Sequence, residues 1–269
     1  MIAVVDYQKG NLKSVERGLI AAGGKAFITA DASEIAKADA IVLPGVGAFA
    51  DAAATMCELG QMEVIRERVR AGVPFLGICL GEHLMFEHGV EGAPEGSPAR
   101  GLGLLPGTVV AMPRCDAQGK AFKVPHVGWN TIEMPACNGG AAVPSCGEGG
   151  GNAALSSGGA GGGAARSSAA KRGLFEHGAF PDSTPQPGSE LAFACPLFDG
   201  IAPGEYFYFT HSYIAPTGSH TIAETTHSTR FTSAVQFGEC AFGVQFHPEK
   251  SSDAGARVLA NFVAIAARG

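Results

Sequence analysis

Within the first eighty residues, four short apolar runs alternate with stretches of helical periodicity, which leaves few folds open. The runs are Ile2 to Val5, Phe27-Ile28-Thr29, Ala40 to Leu43, and Val73-Pro74-Phe75-Leu76 leading into Cys79. Between the first two, Asn11 is placed to cap a helix with Leu12, Val15 and Leu19 on one face and Gly23-Gly24 at its end. Asp31 followed by Glu34 has the spacing of a capping box. Phe49 to about Arg70 reads as one helix with the stripe Met56, Leu59, Met62 and Ile65, stopped by Gly72. Such strand–helix alternation forces right-handed crossovers and a parallel sheet covered on both faces.

After Leu102 the pattern turns strand-rich. Thr108 to Met112, Val127 to Glu133, Tyr206 to Ile214, Thr221 to Thr226 and Ala234 to Phe246 suit β structure. Ser251 or Ser252 is placed to cap a last helix carrying Val258, Leu259, Phe262 and Val263. The expected fold is α/β, with a mixed, mostly parallel central sheet and flanking helices, flavodoxin-like, in one domain over 1–269. Pro135 to about Ala194 is the exception. It is dominated by Gly, Ala, Ser and Pro and has no period, so it buries too little to offset its ordering entropy. It is expected to be a flexible insertion in a surface loop at about 135–194, with Leu174-Phe175 and Leu191 to Phe193 as short ordered patches.

Composition removes several function classes. A formal net charge of -6 speaks against a nucleic-acid partner. No apolar run approaches the roughly 20 residues of a membrane span. The start, Met1 to Asp6, lacks the basic and long apolar regions of a signal peptide. Seven cysteines without a C-x-x-C pair argue against a disulfide framework or a zinc site, so a reduced, cytoplasmic protein without metal or cofactor is expected.

The chemistry concentrates at two segments. In Gly77-Ile78-Cys79-Leu80-Gly81 a buried strand breaks sharply into a helix, and small residues flank the cysteine where larger ones would collide with the turn. In Gln245-Phe246-His247-Pro248-Glu249 an imidazole and a carboxylate stand two residues apart, on one side if the chain is extended. Thiol, base and orienting carboxylate together make a nucleophilic triad: Cys79, His247 and Glu249. Pro44-Gly45-Val46-Gly47 is either a plain turn or a backbone oxyanion site made of Gly45, Val46 and Gly47, joined by the N–H of Leu80. The helix start after Cys79 also favours a thiolate. The polar end His211-Ser212-Tyr213 of an aromatic strand suits a ligand-contacting edge. Trp129, in His126-Val127-Gly128-Trp129-Asn130, is either core packing or an interface anchor.

These two motifs, Gly-Ile-Cys-Leu-Gly and a late Gln-Phe-His-Pro-Glu, resemble those of the class I (triad) glutamine amidotransferases. Four further segments narrow the resemblance to the glutaminase subunits of imidazole glycerol phosphate synthase. They are Asp6 to Leu12, Pro44 to Phe49, Pro125 to Asn130, and Tyr208 to Tyr213. The resemblance covers nearly the whole chain outside the Pro135–Ala194 stretch.

It implies that Cys79 attacks the side-chain amide of L-glutamine, with His247 moving the proton, Glu249 holding the imidazole, and Leu80 and Gly45-Val46-Gly47 binding the oxyanion. His211, Ser212 and Tyr213 would line the glutamine pocket. Ammonia would pass to a (β/α)8-barrel cyclase subunit, the heterodimer partner, against which His126, Trp129 and Asn130 would lie. One departure stands out. After Gly81 the family has Met-Gln, whose Gln contacts substrate; here the pair is Glu82-His83. His83 can still donate a hydrogen bond, but Glu82 is expected to place a like charge near the thiolate. The alternatives are another class I amidotransferase, a γ-glutamyl hydrolase, or a non-catalytic scaffold that regulates a barrel partner.

Overall fold

The computed structural model describes residues 1–135 and 193–268. The expected insertion therefore lies outside the described residues, apart from its two edges. Of its suggested ordered patches only Phe193 is described, and it is buried in the core.

The chain order is β1 (Ile2–Val5), α1 (Leu12–Ala21), β2 (Ala26–Thr29), α2 (Ala32–Ile35), β3 (Ala40–Gly45), α3 (Phe49–Glu58), α4 (Gln61–Arg70), β4 (Phe75–Cys79) and α5 (Leu80–His83). There follow β5 (Phe86–Gly89), β6 (Ala99–Arg100), β7 (Leu105–Ala111), β8 (His126–Thr131), β9 (Tyr206–His211), β10 (Tyr213–Ile214), β11 (Thr221–Thr226), β12 (Arg230–Phe237), β13 (Ala241–Val244) and α6 (Ser252–Ala266). A seven-stranded sheet runs β11-β12-β13-β4-β3-β1-β2. Its β13-β4-β3-β1-β2 part is parallel, and β12 pairs antiparallel with both β11 and β13. A second, four-stranded sheet (β10-β7-β5-β6) and a β8-β9 ribbon complete it.

The period of two along each strand sorts side chains into two cores. Ile2, Val4, Val42, Leu76 and Ile78 pack with Val15 and Leu19 of α1 and Val258, Leu259 and Phe262 of α6. Val5, Ile41, Leu43 and Phe75 pack with Met56, Met62, Ile65 and Val69 of α3 and α4. Each fully buried side chain of this size contributes roughly 1.5–3 kcal/mol, so these two apolar layers rather than helix propensity hold the sheet closed.

Several local expectations are corrected. The long helix is two helices, because Gly60 adopts φ 68 between them. Asn11 and Ser251 stand at the N-caps of α1 and α6, but neither side chain caps. Asp31 does cap α2 by accepting from Ser33 N at 2.7 Å, yet the capping box is not closed: Glu34 takes the Thr29 hydroxyl instead. Ala234 to Phe246 is not one strand. It is a hairpin of β12 and β13 that turns at Gly238, φ 61.

Candidate active site

Parallel pairing brings three strand ends together. Gly45 of β3 is in register with Cys79 of β4, and Ile78 of β4 is in register with Val244 of β13. All three strands point the same way, so Gly45-Val46-Gly47, Cys79 and Gln245 to His247 emerge at one carboxyl edge of the sheet, where α/β folds place their ligands.

Cys79 is held at φ 55, ψ -108, a strained conformation for a residue with a Cβ. The flanking glycines permit it. A Cβ on Gly81 would lie 1.8 Å from the carbonyl oxygen of Leu43, and one on Gly77 would lie 2.5 Å from that of Gly81. Both obstacles are backbone and cannot rotate away. Gly81→Ala is therefore expected to cost about 3 kcal/mol or more, at or above the upper end of ordinary overpacking. A denaturant titration against wild type checks it; an unchanged midpoint would show that the elbow is not this tightly built.

His247 is buried and donates from Nδ1 to Glu249 Oε1 at 2.9 Å. The segment is not extended as expected from its sequence. Pro248–Lys250 forms a 3-10 turn, which carries Glu249 back to the ring. The turn is anchored by the Ser251 hydroxyl, which donates to the His247 carbonyl at 2.6 Å and accepts from Tyr208 N at 3.0 Å. Ser251 is thus a positioning residue, not the helix cap its sequence place suggested. Burial alone lowers the His247 pKa, but Cys79 and Glu249 outweigh it and raise the value to about 9. The ring is therefore an imidazolium at neutral pH. Among the described residues its Nε2 has no aligned hydrogen-bond partner, yet the Cys79 sulfur is close enough to be the largest influence raising the ring's pKa. Loose alignment of this kind is usual before substrate is bound. α5 has only four residues, so the helix start at Cys79 carries little dipole.

The expected charge of Glu82 is absent. Its carboxyl is fully buried, and burial pushes its pKa well above the carboxylate range, so it stands neutral. Burial likewise brings His83 down to about 4, against the opposing hydrogen bond to Gln245. Glu82 and His83, 3.6 Å apart, are therefore not an ion pair at neutral pH.

Next to Cys79 a cavity of roughly 340 Å³ is lined by Gly47, Leu80, His83, Glu91, Thr210, His211, Ser212 and Tyr213, among others. It is within the size range of small-ligand clefts. His211 is kept neutral, chiefly by burial; its Nδ1 donates to the Tyr213 carbonyl at 2.8 Å. Glu91 is a lining residue the sequence did not reveal. It lies on the loop after β5 with no motif around it, and half-burial raises its pKa.

The β8-β9 ribbon separates the three residues grouped as an interface. Directly opposed pairs share a face, so Val127, Trp129 and Tyr206 lie on one side and His126, Phe207, Phe209 and His211 on the other. The first three are 55%, 51% and 59% exposed. His126 is buried instead, donating from Nδ1 to His211 Nε2 at 3.0 Å, and Asn130 Nδ2 contacts His126 Nε2 at 3.3 Å. Asn130, half-buried on the same side as His126, also donates to the Thr226 carbonyl at 3.0 Å.

Among the described residues no three or more His, Cys, Asp or Glu side chains are arranged to hold a metal, and no helix is long and apolar enough to cross a membrane. Cys57, Cys79, Cys115, Cys195 and Cys240 are free thiols.

A strand-end cysteine with a carboxylate-held histidine beside it, on a mixed sheet of this topology, defines a class of protein, and comparison bears on which. The family model described as Glutamine amidotransferase class-I matches residues 3–139 and 171–266. The "Imidazole glycerol phosphate synthase subunit HisH" of Moorella thermoacetica is 36% identical over 97% of this chain and 93% of its own length. The protein of the same name from Aromatoleum aromaticum is 34% identical over 98% of both. A crystal structure titled as a glutamine amidotransferase aligns with TM-score 0.59 at 15% identity, covering 99% of this chain and all of the other. The chain belongs to the class I glutamine amidotransferases and, within them, to the family of the HisH subunits.

Proposed function

We propose that this chain is the ammonia-releasing subunit of an imidazole glycerol phosphate synthase and acts in the cytoplasm. The observation that carries the reading is the His247 imidazole, held by Glu249 at 2.9 Å and raised in pKa by Cys79. The Cys79 thiolate attacks the side-chain amide carbon of L-glutamine. The Leu80 N–H, which has no intrahelical partner at the first position of α5, and the Gly45-Val46-Gly47 backbone receive the oxyanion. His247 delivers its proton to the departing nitrogen, and the C–N bond breaks to leave ammonia and a γ-glutamyl thioester. Water gives a proton to the now neutral His247 and adds to the thioester carbonyl; the C–S bond then breaks, releasing glutamate and restoring the thiolate beside the imidazolium. Within the pocket, Glu91 is the carboxylate suited to the α-ammonium of the substrate, while His211, Ser212 and Tyr213 line the glutamine site. His83 contributes less than its family counterpart, because its Nε2–H is already given to Gln245.

Ammonia passes to the (β/α)8-barrel cyclase, which forms imidazole glycerol phosphate and an aminoimidazole carboxamide ribotide in histidine biosynthesis. The exposed face Val127, Trp129 and Tyr206 suits this interface, since aromatic anchors dominate such contacts. Val46 is exposed and Gly47 sits at φ 98, where glycine alone meets no steric cost, so a backbone flip of this segment is the change the loaded partner would select.

Glutamate release, followed with the chain alone and with the cyclase plus its nucleotide ligand, tests this. Release is expected to rise by at least tenfold with the ligand-loaded partner, the middle of the usual coupling range. Rapid release by the chain alone points to a different amidotransferase or a hydrolase. No release in either case supports the scaffold reading.

A further inference from the structure

Glu82-His83 is where this chain departs from its family's pattern, and the structure shows what the second of the pair touches. Gln245 is wholly buried; its Oε1 lies 2.6 Å from His83 Nε2, and its Nε2 lies 3.7 Å from the Cys79 sulfur. A carboxamide oxygen only accepts, so the His83 proton resides on Nε2. That proton fixes which end of the Gln245 amide meets the sulfur. Turning the amide over would set its oxygen against a thiolate, replacing an attractive contact by a repulsive one, and would force the His83 proton from Nε2 to Nδ1.

We propose that Gln245 is a second N–H donor to the Cys79 sulfur, held in that orientation by His83, so that His83 acts here as a positioning residue for the nucleophile. The inference rests on Cys79 being the nucleophile. A hydrogen bond from a neutral amide stabilises a thiolate without adding a charge that must later be neutralised. The other titratable groups near the sulfur do not duplicate this. Tyr7, two residues beyond β1, is kept protonated by burial; Glu82 and His83 are neutral; His247, backed by Glu249, supplies the only positive charge among these neighbours. Further out, His211 is also neutral.

Alkylation of the chain by iodoacetamide across a pH series, with the Cys79 peptide quantified by mass spectrometry, tests this without glutamine or partner. In Gln245→Leu the midpoint of the Cys79 profile is expected to move up by about one pH unit, a roughly tenfold slower labelling at neutral pH. His83→Leu is expected to move it in the same direction, because the amide is then free to turn. His83→Gln, whose Nε2 can donate to the same oxygen, is expected to restore the wild-type profile. Gln245→Glu, nearly isosteric, sets an oxygen toward the sulfur and moves the midpoint further up; it carries the test if the leucine variants do not fold. Wild-type profiles in Gln245→Leu or Gln245→Glu, or a His83→Leu shift that His83→Gln leaves in place, would overturn the inference while the nucleophile assignment stands. Wild-type Cys79 labelling no faster at neutral pH than the exposed Cys57 would overturn both.

Discussion

Cys79→Ala is expected to abolish glutamine hydrolysis, with kcat falling by about 10⁴-fold or more in the assembled enzyme. The magnitude follows from what the side chain supplies. Without sulfur there is no thioester, and the amide must be attacked directly by water with only oxyanion donors and binding to help. The fold is expected to survive, because removing one sulfur leaves the backbone free to keep its turn between Gly77 and Gly81. Binding of glutamine is expected to persist, since the pocket residues Glu91, His211, Ser212 and Tyr213 are untouched. The measurements are steady-state glutamate release and ligand-dependent thermal shift on the same preparation. Loss of both together would mean that the substitution had damaged the fold and not only the chemistry.

His247→Ala is expected to lower kcat by about 10⁴-fold as well, because base and acid steps both pass through this ring. It carries a second signature in stability. The folded-state pKa is raised from 6.5 to about 9. A raised value means that the folded protein binds the proton more tightly than the unfolded chain, so the stabilisation is fully present below pH 6.5 and is lost as pH rises through about 9. The shift corresponds to on the order of 3 kcal/mol. Wild type is thus expected to exceed His247→Ala in stability most strongly below pH 6.5, and the gap is expected to shrink above pH 9. Part of the raise comes from Cys79, so the same gap measured in a Cys79→Ala background is expected to be smaller. Denaturant titrations at two pH values in both backgrounds check this; a gap independent of pH would mean that Cys79 and Glu249 do not hold the imidazolium.

The parts of the fold that were legible from the chain are those where local and global demands coincide. The run Phe75 to Leu76 into Gly77-Ile78-Cys79-Leu80-Gly81 is apolar because it is central in the sheet, and glycine-flanked because backbone crosses within 1.8 Å of the Gly81 Cβ position. Either reason alone would leave a weaker trace. The break at Gly60 was hidden because the apolar stripe runs through it: Met56 and Met62 are both buried, on different helices. The hairpin at Gly238 was hidden for the same kind of reason, since Ala234 to Phe237 and Ala241 to Val244 read as continuous β sequence across a short turn.

At the site, the sequence order of His247 and Glu249 announced a pair, but only the 3-10 turn explains how they meet. Glu91 left no readable signal, and Ser251 and Gln245 were legible only as a helix start and as part of the Gln-Phe-His-Pro-Glu motif, not in the contacts they make. Each acts through a contact with residues distant in sequence or through a wall of the cavity, and no local spacing encodes that. Trp129 was ambiguous between core and surface until register assigned it a face, and the same register turned His126 inward.

The central claim is that the sulfur of Cys79 takes the γ-glutamyl group. Acid quenching of the chain during turnover with glutamine and the ligand-loaded cyclase, followed by mass spectrometry of its peptides, addresses this directly. The account predicts a γ-glutamyl thioester on the Cys79 peptide, absent in Cys79→Ala and decaying to glutamate when glutamine is removed. Undiminished glutamate release by Cys79→Ala, or an adduct on a different residue, would contradict it.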